Sequence, residues 1–122
     1  MAFDNLHDHY YMSLTTFRRS GEGVPTAVWF APVGNTLYVV TGVISGKVKR
    51  IRHTPQVTVA PCTREGEVLG PAEPAVARLI SDAAEAAAAD AALDGKYGEL
   101  KRRIQADTSD LERVFLAITS AD

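Results

Sequence analysis

The chain has 122 residues, of which 46% are hydrophobic and 23% are charged, and its formal net charge is −2. This length and composition predict one globular domain over residues 1–122, able to bury roughly two thirds of its unfolded surface. The acidic balance argues against a dedicated nucleic-acid-binding protein, and no apolar run is long enough to span a bilayer. The N-terminal residues lack the features of a signal peptide. Together with the single cysteine, Cys62, this predicts a cytoplasmic protein without disulfides.

The first two thirds of the chain have the pattern of β-strands separated by turn residues. Gly34 and Asn35 predict a tight hairpin connection between the second and third strands. Pro71 and Pro74 indicate that the fifth strand is an edge strand or a bulged strand. The predicted strands are 11–19, 24–33, 36–41, 56–63, 67–80 and, near the end of the chain, 113–119.

Helical segments are predicted at three places. Ser45 can cap a short basic helix that ends at Arg52. The alanine-rich run 82–93 has high helix propensity and begins with a capping-box-like pattern, and Gly95 is the expected C-terminal cap. A further helix is expected at 99–106.

The third predicted strand is apolar on both faces, with Leu37 and Val39 on one side and Tyr38 and Val40 on the other. Five short antiparallel strands, an interruption and a late sixth strand are typical of a small barrel. A small barrel with an apolar outer face needs a cover. The helices provide part of this cover, and a second subunit is expected to provide the remainder.

The charges are unevenly distributed along the chain. No acidic residue occurs between Glu22 and Glu65, and four cations fall within six residues in the middle of this stretch. Hydroxyl donors, glycines that allow close backbone approach and unopposed positive charge are the components of a phosphate site. The pattern therefore predicts a specific anionic ligand rather than general affinity for polyanions. The segment is Thr41-Gly-Val-Ile-Ser45-Gly46-Lys47-Val-Lys49-Arg50-Ile-Arg52.

Two other kinds of site fit these residues less well. A Walker-type phosphate loop is excluded because Gly42 and Gly46 are separated by three residues instead of four. In addition, Lys47 is followed by Val48, where such a loop has serine or threonine. A nucleophile pair of Ser45 and Lys47 lacks both a further base and an oxyanion signature.

The histidines and the cysteine do not indicate a second site. His7 and His9 lie close together, but a metal ion needs a third ligand and a rigid scaffold, so no metal site is predicted. His53 is expected at the end of the basic helix, near the terminal carbonyls. Cys62 is expected to be a small apolar filler, and Trp29 taken alone is expected in a core or an interface.

Several short motifs follow one another in a recognisable order. They are Leu14-Thr-Thr-Phe17, Val28-Trp-Phe30, the segment from Thr41 to Arg52, Pro61-Cys62 with Gly66 following, and Lys96-Tyr97-Gly98. Together they resemble the pyridoxamine-phosphate-oxidase-like split-barrel superfamily over nearly the whole chain. The resemblance is greatest to the actinobacterial branch that binds the deazaflavin coenzyme F420. The Thr-x-x-x-Ser-x-Lys pattern after the third strand is its most specific part.

This resemblance implies a mainly β fold, a six-stranded antiparallel split β-barrel with short helices. It also implies a homodimer with two cofactor sites at the subunit interface and a small-molecule substrate, with no nucleic-acid or membrane partner. The implied activity is hydride transfer between the deazaflavin ring of F420 and an electron-poor organic substrate. The implied cofactor-binding residues are Thr41, Ser45, Gly46 and Lys47 at the phosphate, Lys49 and Arg50 along the helix, and Val28, Trp29 and Phe30 beside the ring.

Alternatives within the same fold remain open. An FMN-binding oxidoreductase is one, and a non-catalytic cofactor or haem carrier is another. Flavin-using oxidases tend to carry arginine at the position of Gly46, and counterparts of the residues that recognise pyridoxal phosphate are missing, which favours the deazaflavin. Lys49 and Arg50 favour it too, because its tail adds a phosphodiester and carboxylates. The cofactor would carry the chemistry, so no catalytic side chain is assigned.

Overall fold

The structure is a computed structural model that describes residues 3–6, 9–42, 45–98 and 113–121. These residues form one antiparallel sheet, two α-helices and a short 3₁₀-helix at Asp4–Leu6. The predicted helix at 99–106 lies outside the described residues. The elements are β1 (Tyr11–Phe17), β2 (Gly23–Val28), β3 (Ala31–Val33), β4 (Thr36–Gly42), α1 (Gly46–His53), β5 (Gln56–Cys62), β6 (Glu73–Leu79), α2 (Ala83–Tyr97) and β7 (Arg113–Ser120).

The sheet curls into a half-open barrel because a short connection joins its two edge strands. The strand order is β2-β1-β5-β6-β7-β4-β3, so β2 and β3 are consecutive in sequence but lie at opposite edges. Only Trp29 and Phe30 connect them. The Cα atoms of Val28 and Ala31 can therefore be at most about 11 Å apart, and the two edges must approach one another. This is the geometry of a split barrel.

The main core lies inside the curled sheet. Successive side chains of a strand point to opposite faces, and the inward ones form a single buried cluster. Ile51 of α1, together with Phe3 and Leu6 at the N-terminal 3₁₀-helix, packs into the same cluster. The buried strand residues of this cluster are Met12, Leu14, Val28, Leu37, Val39, Val57, Val59, Ala75, Ala77, Leu116 and Ile118.

Helix α2 covers part of the outer face of the sheet, as the apolar pattern of the third strand predicts. Tyr38 and Ala117 pack against Ala89, and Ala31 packs against Leu93. The alanine-rich helix has small side chains on the face toward the sheet, so its backbone can come close to the strands. The described part of the chain contains no helix that is both long enough and apolar enough to cross a membrane.

The strand count is seven, where six strands were predicted. The predicted strand 24–33 is interrupted at Trp29 and Phe30, which leave β2 at one edge and enter β3 at the other. The break lies where the chain passes from one edge of the sheet to the other, which a run of strand residues does not reveal by itself. The predicted hairpin at Gly34–Asn35 is confirmed, and Gly34 adopts a φ of 60° there.

The prediction that the fifth strand lies at an edge is wrong. It is β6, shorter than the predicted range 67–80, and it pairs with β5 on one side and β7 on the other. Pro74 is tolerated because it lies near the start of the strand, opposite the end of β7. The Pro74 carbonyl accepts from the Ala121 N–H at 3.4 Å. Proline has no N–H to donate, and here that donor is lacking only where the hydrogen-bond ladder between β6 and β7 ends.

The prediction that Gly95 caps the alanine-rich helix is also wrong. Helix α2 continues through Gly95 to Tyr97, and the cap is Gly98, which has a φ of 54°. The Gly98 N–H donates to the Asp94 carbonyl at 2.8 Å. The additional turn places Lys96 and Tyr97 on the helix, where both contact the crossing between β2 and β3.

Candidate functional site

The first turn of α1 brings two hydroxyl groups together. Ser45 is the N-cap, as predicted, with extended backbone angles, and its Oγ accepts from the Val48 N–H at 3.4 Å. Thr41, near the end of β4, donates from its Oγ1 to the same Ser45 oxygen at 3.5 Å. A short strand-to-helix connection therefore gathers hydroxyls where the backbone N–H groups of a helix are free to bind an anion.

Arg50 reaches back across this same turn. Its Nε donates to Thr16 Oγ1 on β1 at 2.6 Å, and Thr16 is fully buried. The guanidinium lies beside Gly46, where an added Cβ would be only 2.8 Å from Nη1. The absence of a side chain at Gly46 thus leaves room for Arg50 at the start of the helix. The predicted residues Thr41, Ser45, Gly46 and Arg50 come together here.

This turn concentrates positive charge, and none of the described acidic residues forms an ion pair with it. The start of a helix carries a partial positive charge, and no acidic residue occupies the first turn of α1. Lys47 is half-buried, and the pKa of its ammonium group is lowered by burial and by the positive charge of Arg50. Cations that repel one another at a helix N-terminus are stabilised by a bound anion. The first turn of α1, with Thr41, is called the α1 anion site below.

A second basic surface adjoins the α1 anion site. A cavity of about 280 Å³ is lined by Phe17 and otherwise only by basic side chains. Arg18 and Arg19 follow directly on β1 and are not among the predicted site residues. The signal for them in the sequence is a pair of arginines at the end of a predicted strand. Arg18 also forms an exposed ion pair with Glu22 at 3.0 Å. The lining residues are Phe17, Arg18, Arg19, Lys49, Arg50 and His53.

Of the three predicted ring-side residues, only Trp29 exposes its side chain. Val28 is 8% exposed and Phe30 is 0% exposed, and both belong to the inner core. Trp29 is half-buried and stacks on Tyr97, with ring centroids 4.4 Å apart and planes at 9°. The roles of Val28 and Phe30 at a ligand therefore stay predictions, and their side chains hold the position of Trp29 from inside the barrel.

The Tyr97 hydroxyl satisfies the backbone at the crossing between the two sheet edges. Its oxygen accepts from the Phe30 N–H at 2.9 Å. The same hydroxyl lies 2.9 Å from the Phe30 carbonyl and 2.7 Å from the Tyr10 carbonyl, each of which can accept its proton. At Phe30 the chain has left one strand and not yet entered the next, so a side chain replaces the sheet ladder. Burial raises the pKa of Tyr97.

Lys96 lies beside this cluster with an unusual environment for an ammonium group. Its Nζ is 3.5 Å from the centroid of the Phe30 ring and 5.4 Å from that of Tyr97. Burial lowers the pKa of Lys96 to about 8. None of the carboxylates among the described residues forms an ion pair with it. The motif Lys96-Tyr97-Gly98 is present in the sequence, but these contacts are not evident there.

The lowered pKa of Lys96 predicts how the free energy of unfolding depends on pH. Between about pH 8 and the ordinary lysine pKa of 10.5, the unfolded chain holds a proton on Lys96 that the folded chain has released. Stability then rises with pH. We expect the free energy of unfolding of the natural protein, relative to that of Lys96→Met, to increase across this interval. Urea denaturation of both proteins at several pH values measures this difference, and taking the difference removes the contribution of Tyr97, whose pKa is raised by burial. A flat difference would contradict the prediction.

A metal centre is not evident in the described ranges, where no group of three or more histidine, cysteine, aspartate or glutamate side chains converges. His53 lies at the end of α1, as predicted, and lines the basic cavity. Cys62 is a buried free cysteine whose thiol pKa is raised by burial, which is typical of an unreactive side chain.

Comparison with known proteins identifies the fold. No family model and no curated protein matches the chain. Among solved structures, the haem storage protein HutZ from Vibrio cholerae matches with a TM-score of 0.74 and 16% identity, over 100% of this chain and 92% of that one. An F420 reductase matches with a TM-score of 0.65 and 18% identity, over 99% and 94%. A pyridoxamine 5′-phosphate oxidase candidate from Listeria innocua matches with a TM-score of 0.64 and 19% identity, over 96% and 88%.

Proposed function

We propose that this chain, which has the pyridoxamine-phosphate-oxidase-like split-barrel fold, is an oxidoreductase that uses coenzyme F420. It would move a hydride between the deazaflavin ring and an electron-poor small organic molecule. The observation that carries the proposal is the α1 anion site, where hydroxyls and cations meet and no carboxylate of the described residues forms an ion pair with Lys47 or Arg50. An F420 reductase is one of the solved structures with this fold, which supports the choice of cofactor.

The residues of the α1 anion site fit a phosphate group. The hydroxyls of Thr41 and Ser45, the ammonium of Lys47 and the guanidinium of Arg50 are all able to donate hydrogen bonds to it. Burial and the repulsion by Arg50 both lower the pKa of Lys47, and a phosphate bound there would offset both effects. Gly46 has no side chain, so it does not block a phosphate from approaching the backbone of the first turn.

The adjoining basic cavity favours F420 over FMN. FMN has a single phosphate, and the α1 anion site is sufficient to bind it without the basic cavity. In F420 the phosphate is a diester that continues into a tail with several carboxylates, and these carboxylates suit Lys49, Arg19 and His53, which line the cavity beyond the first turn. A haem carrier is the other alternative, since HutZ shares the fold. Haem has two carboxylates and needs axial ligands. Among the described residues, His9 and His53 are the histidines available as axial ligands.

The contribution of this chain to the reaction would be binding and orientation. When bound, F420 supplies the hydride chemistry. Trp29 offers a half-exposed aromatic face for the ring, and its position is maintained by the Tyr97 stack. The α1 anion site would hold the phosphate end, so that the ring is fixed at one place along the barrel. Such positioning is the main way in which a protein accelerates a step that its cofactor carries out.

The proposal is tested by titrating the pure protein with F420, FMN and haemin, and by following fluorescence and absorbance. We expect F420 to bind most tightly and its affinity to fall more steeply with salt than that of FMN, because more exposed charges contact its tail. Lys49→Gln, which changes the basic cavity beyond the first turn, should reduce the salt dependence more for F420 than for FMN. Tighter binding of FMN would assign the protein to the flavin enzymes. Binding of haemin alone would make it a carrier.

We also propose a homodimer with cofactor sites at its interface. Four large hydrophobic residues are about half exposed or more in the single chain, and β2 and β3 each leave one edge unpaired. Sedimentation should show no monomer at micromolar concentration. A stable monomer that still binds cofactor would contradict the interface. The exposed residues are Tyr10, Val33, Val68 and Leu69.

A further inference from the structure

Two neighbouring cavities share Tyr10 and Lys96 as lining residues. The first, of about 490 Å³, lies between the N-terminal segment, β3 and α2. The second, of about 330 Å³, lies beside the crossing between the sheet edges and is lined by Tyr10, Tyr11, Trp29, Lys96 and Tyr97. Both cavities are separate in residue content from the α1 anion site and from the basic cavity beside it. We call the pair of cavities the Lys96 cleft.

The chemistry of the Lys96 cleft is simple. Aromatic rings form most of the wall of the second cavity, and among the described residues Lys96 is the only lysine or arginine that lines either of the two. Its ammonium is half-buried, rests on the Phe30 ring, and has no carboxylate partner in the described part of the chain. An apolar pocket with one well-placed polar group is the usual form of a small-molecule site.

We propose that the Lys96 cleft binds a planar aromatic or conjugated carboxylate, with the carboxylate at Lys96 Nζ and the ring along the aromatic wall that Tyr10 and Tyr11 form beside Trp29. A desolvated cation without a counterion gains more from an anionic ligand than an exposed lysine would. A neutral ligand of the same shape gains only the burial of its ring. The cleft therefore selects by charge at one end and by aromatic stacking at the other.

This inference extends the proposed function without depending on it. The cleft is formed by one chain and needs no cofactor. If F420 binds with its ring beside Trp29, a carboxylate in the cleft would lie next to that ring, and the substrate class would be an aromatic or conjugated acid. Binding can be measured in the cofactor-free protein, so failure of one proposal is distinguishable from failure of the other.

Trp29 is the only tryptophan of the chain, so its fluorescence reports directly on the cleft. The probes are benzoate and its neutral counterpart benzamide. We expect benzoate to change Trp29 fluorescence saturably and to bind roughly tenfold to a hundredfold more tightly than benzamide, the effect of one hydrogen bond to a charged group. Equal binding of the two probes, or no saturable change with benzoate, would overturn the proposal. This comparison uses the unmodified protein.

Lys96→Met tests the role of the ammonium while keeping an apolar side chain over Phe30. We expect it to lose the preference for benzoate and to leave benzamide binding unchanged. Arg64→Met removes one positive charge from an exposed turn and should change neither. Retained preference in Lys96→Met would overturn the proposal. If that variant does not fold, Lys96→Gln takes its place.

One more comparison locates the benzoate. The α1 anion site is another place where an isolated carboxylate can bind, because Lys47 forms no ion pair with the carboxylates of the described residues. If the preference for benzoate is lost in Lys47→Ala and kept in Lys96→Met, benzoate binds at α1 and the Lys96 cleft is not its site. The opposite pattern supports the cleft.

Discussion

Replacing Lys47 with alanine is expected to weaken F420 binding roughly ten- to a hundredfold, because a hydrogen bond to a charged group contributes about 1.5–3 kcal/mol. Lys47 lies in the first turn of α1, half-buried and close enough to Arg50 for its pKa to be lowered. A bound phosphate would be its main source of favourable electrostatic energy. The loss should appear in the dissociation constant measured by fluorescence titration.

The fold should survive this substitution. Lys47 forms no ion pair with the carboxylates of the described residues, and its removal also removes repulsion with Arg50. Alanine has a high helix propensity, and the adjacent Val48 supplies the buried contact of this turn. Arg64→Ala, on an exposed turn, is the matched control for loss of one charge. Unchanged F420 affinity in a folded Lys47→Ala protein would exclude Lys47 from the cofactor site.

Replacing Tyr97 with phenylalanine is expected to lower the free energy of unfolding by about 1–3 kcal/mol, the cost of leaving a buried donor unpaired. The Tyr97 hydroxyl accepts from the Phe30 N–H and also contacts the carbonyls of Phe30 and Tyr10. Phenylalanine keeps the stack on Trp29 but has no oxygen. The backbone at the crossing then loses its hydrogen bonds in a buried environment.

Urea denaturation, followed by Trp29 fluorescence, measures this change as a lower transition midpoint with an unchanged slope. The control is Tyr10→Phe, because the Tyr10 side chain is 60% exposed and only its backbone carbonyl joins the network. We expect that control to remain within about 0.5 kcal/mol of the natural protein. A midpoint for Tyr97→Phe equal to that of the control would mean that the crossing does not need the hydroxyl.

The elements that the sequence predicts well depend on nearby residues. The runs that became β1, β4, β5 and β7 have strand propensity and apolar residues along their length, and turn residues end them. Ser45 caps α1 because a serine before a helical run is a local signal. The α1 anion site is predictable for the same reason, since Thr41, Ser45, Gly46 and Arg50 lie within one short segment of the chain.

The errors and omissions have the opposite cause. The break at Trp29 and Phe30, the interior place of β6 and the continuation of α2 beyond Gly95 all result from contacts with distant segments. Local propensity cannot predict these long-range contacts, because it does not depend on which strands become neighbours. Tyr97 bonds a residue 67 positions away, and Arg50 bonds one 34 positions away.

The sequence by itself therefore determined the strand-rich pattern, the basic helix and its cap, and the separation of positive from negative charge. Only the tertiary structure decided that the barrel is split at Trp29 and Phe30, and that Arg50 is directed across Gly46 by Thr16. It also decided that Lys96 lies on an aromatic surface, where no carboxylate of the described residues forms an ion pair with it. The physical reason is that closing the barrel joins its two edges and buries polar groups, whose partners must come from whichever segments the closure brings near.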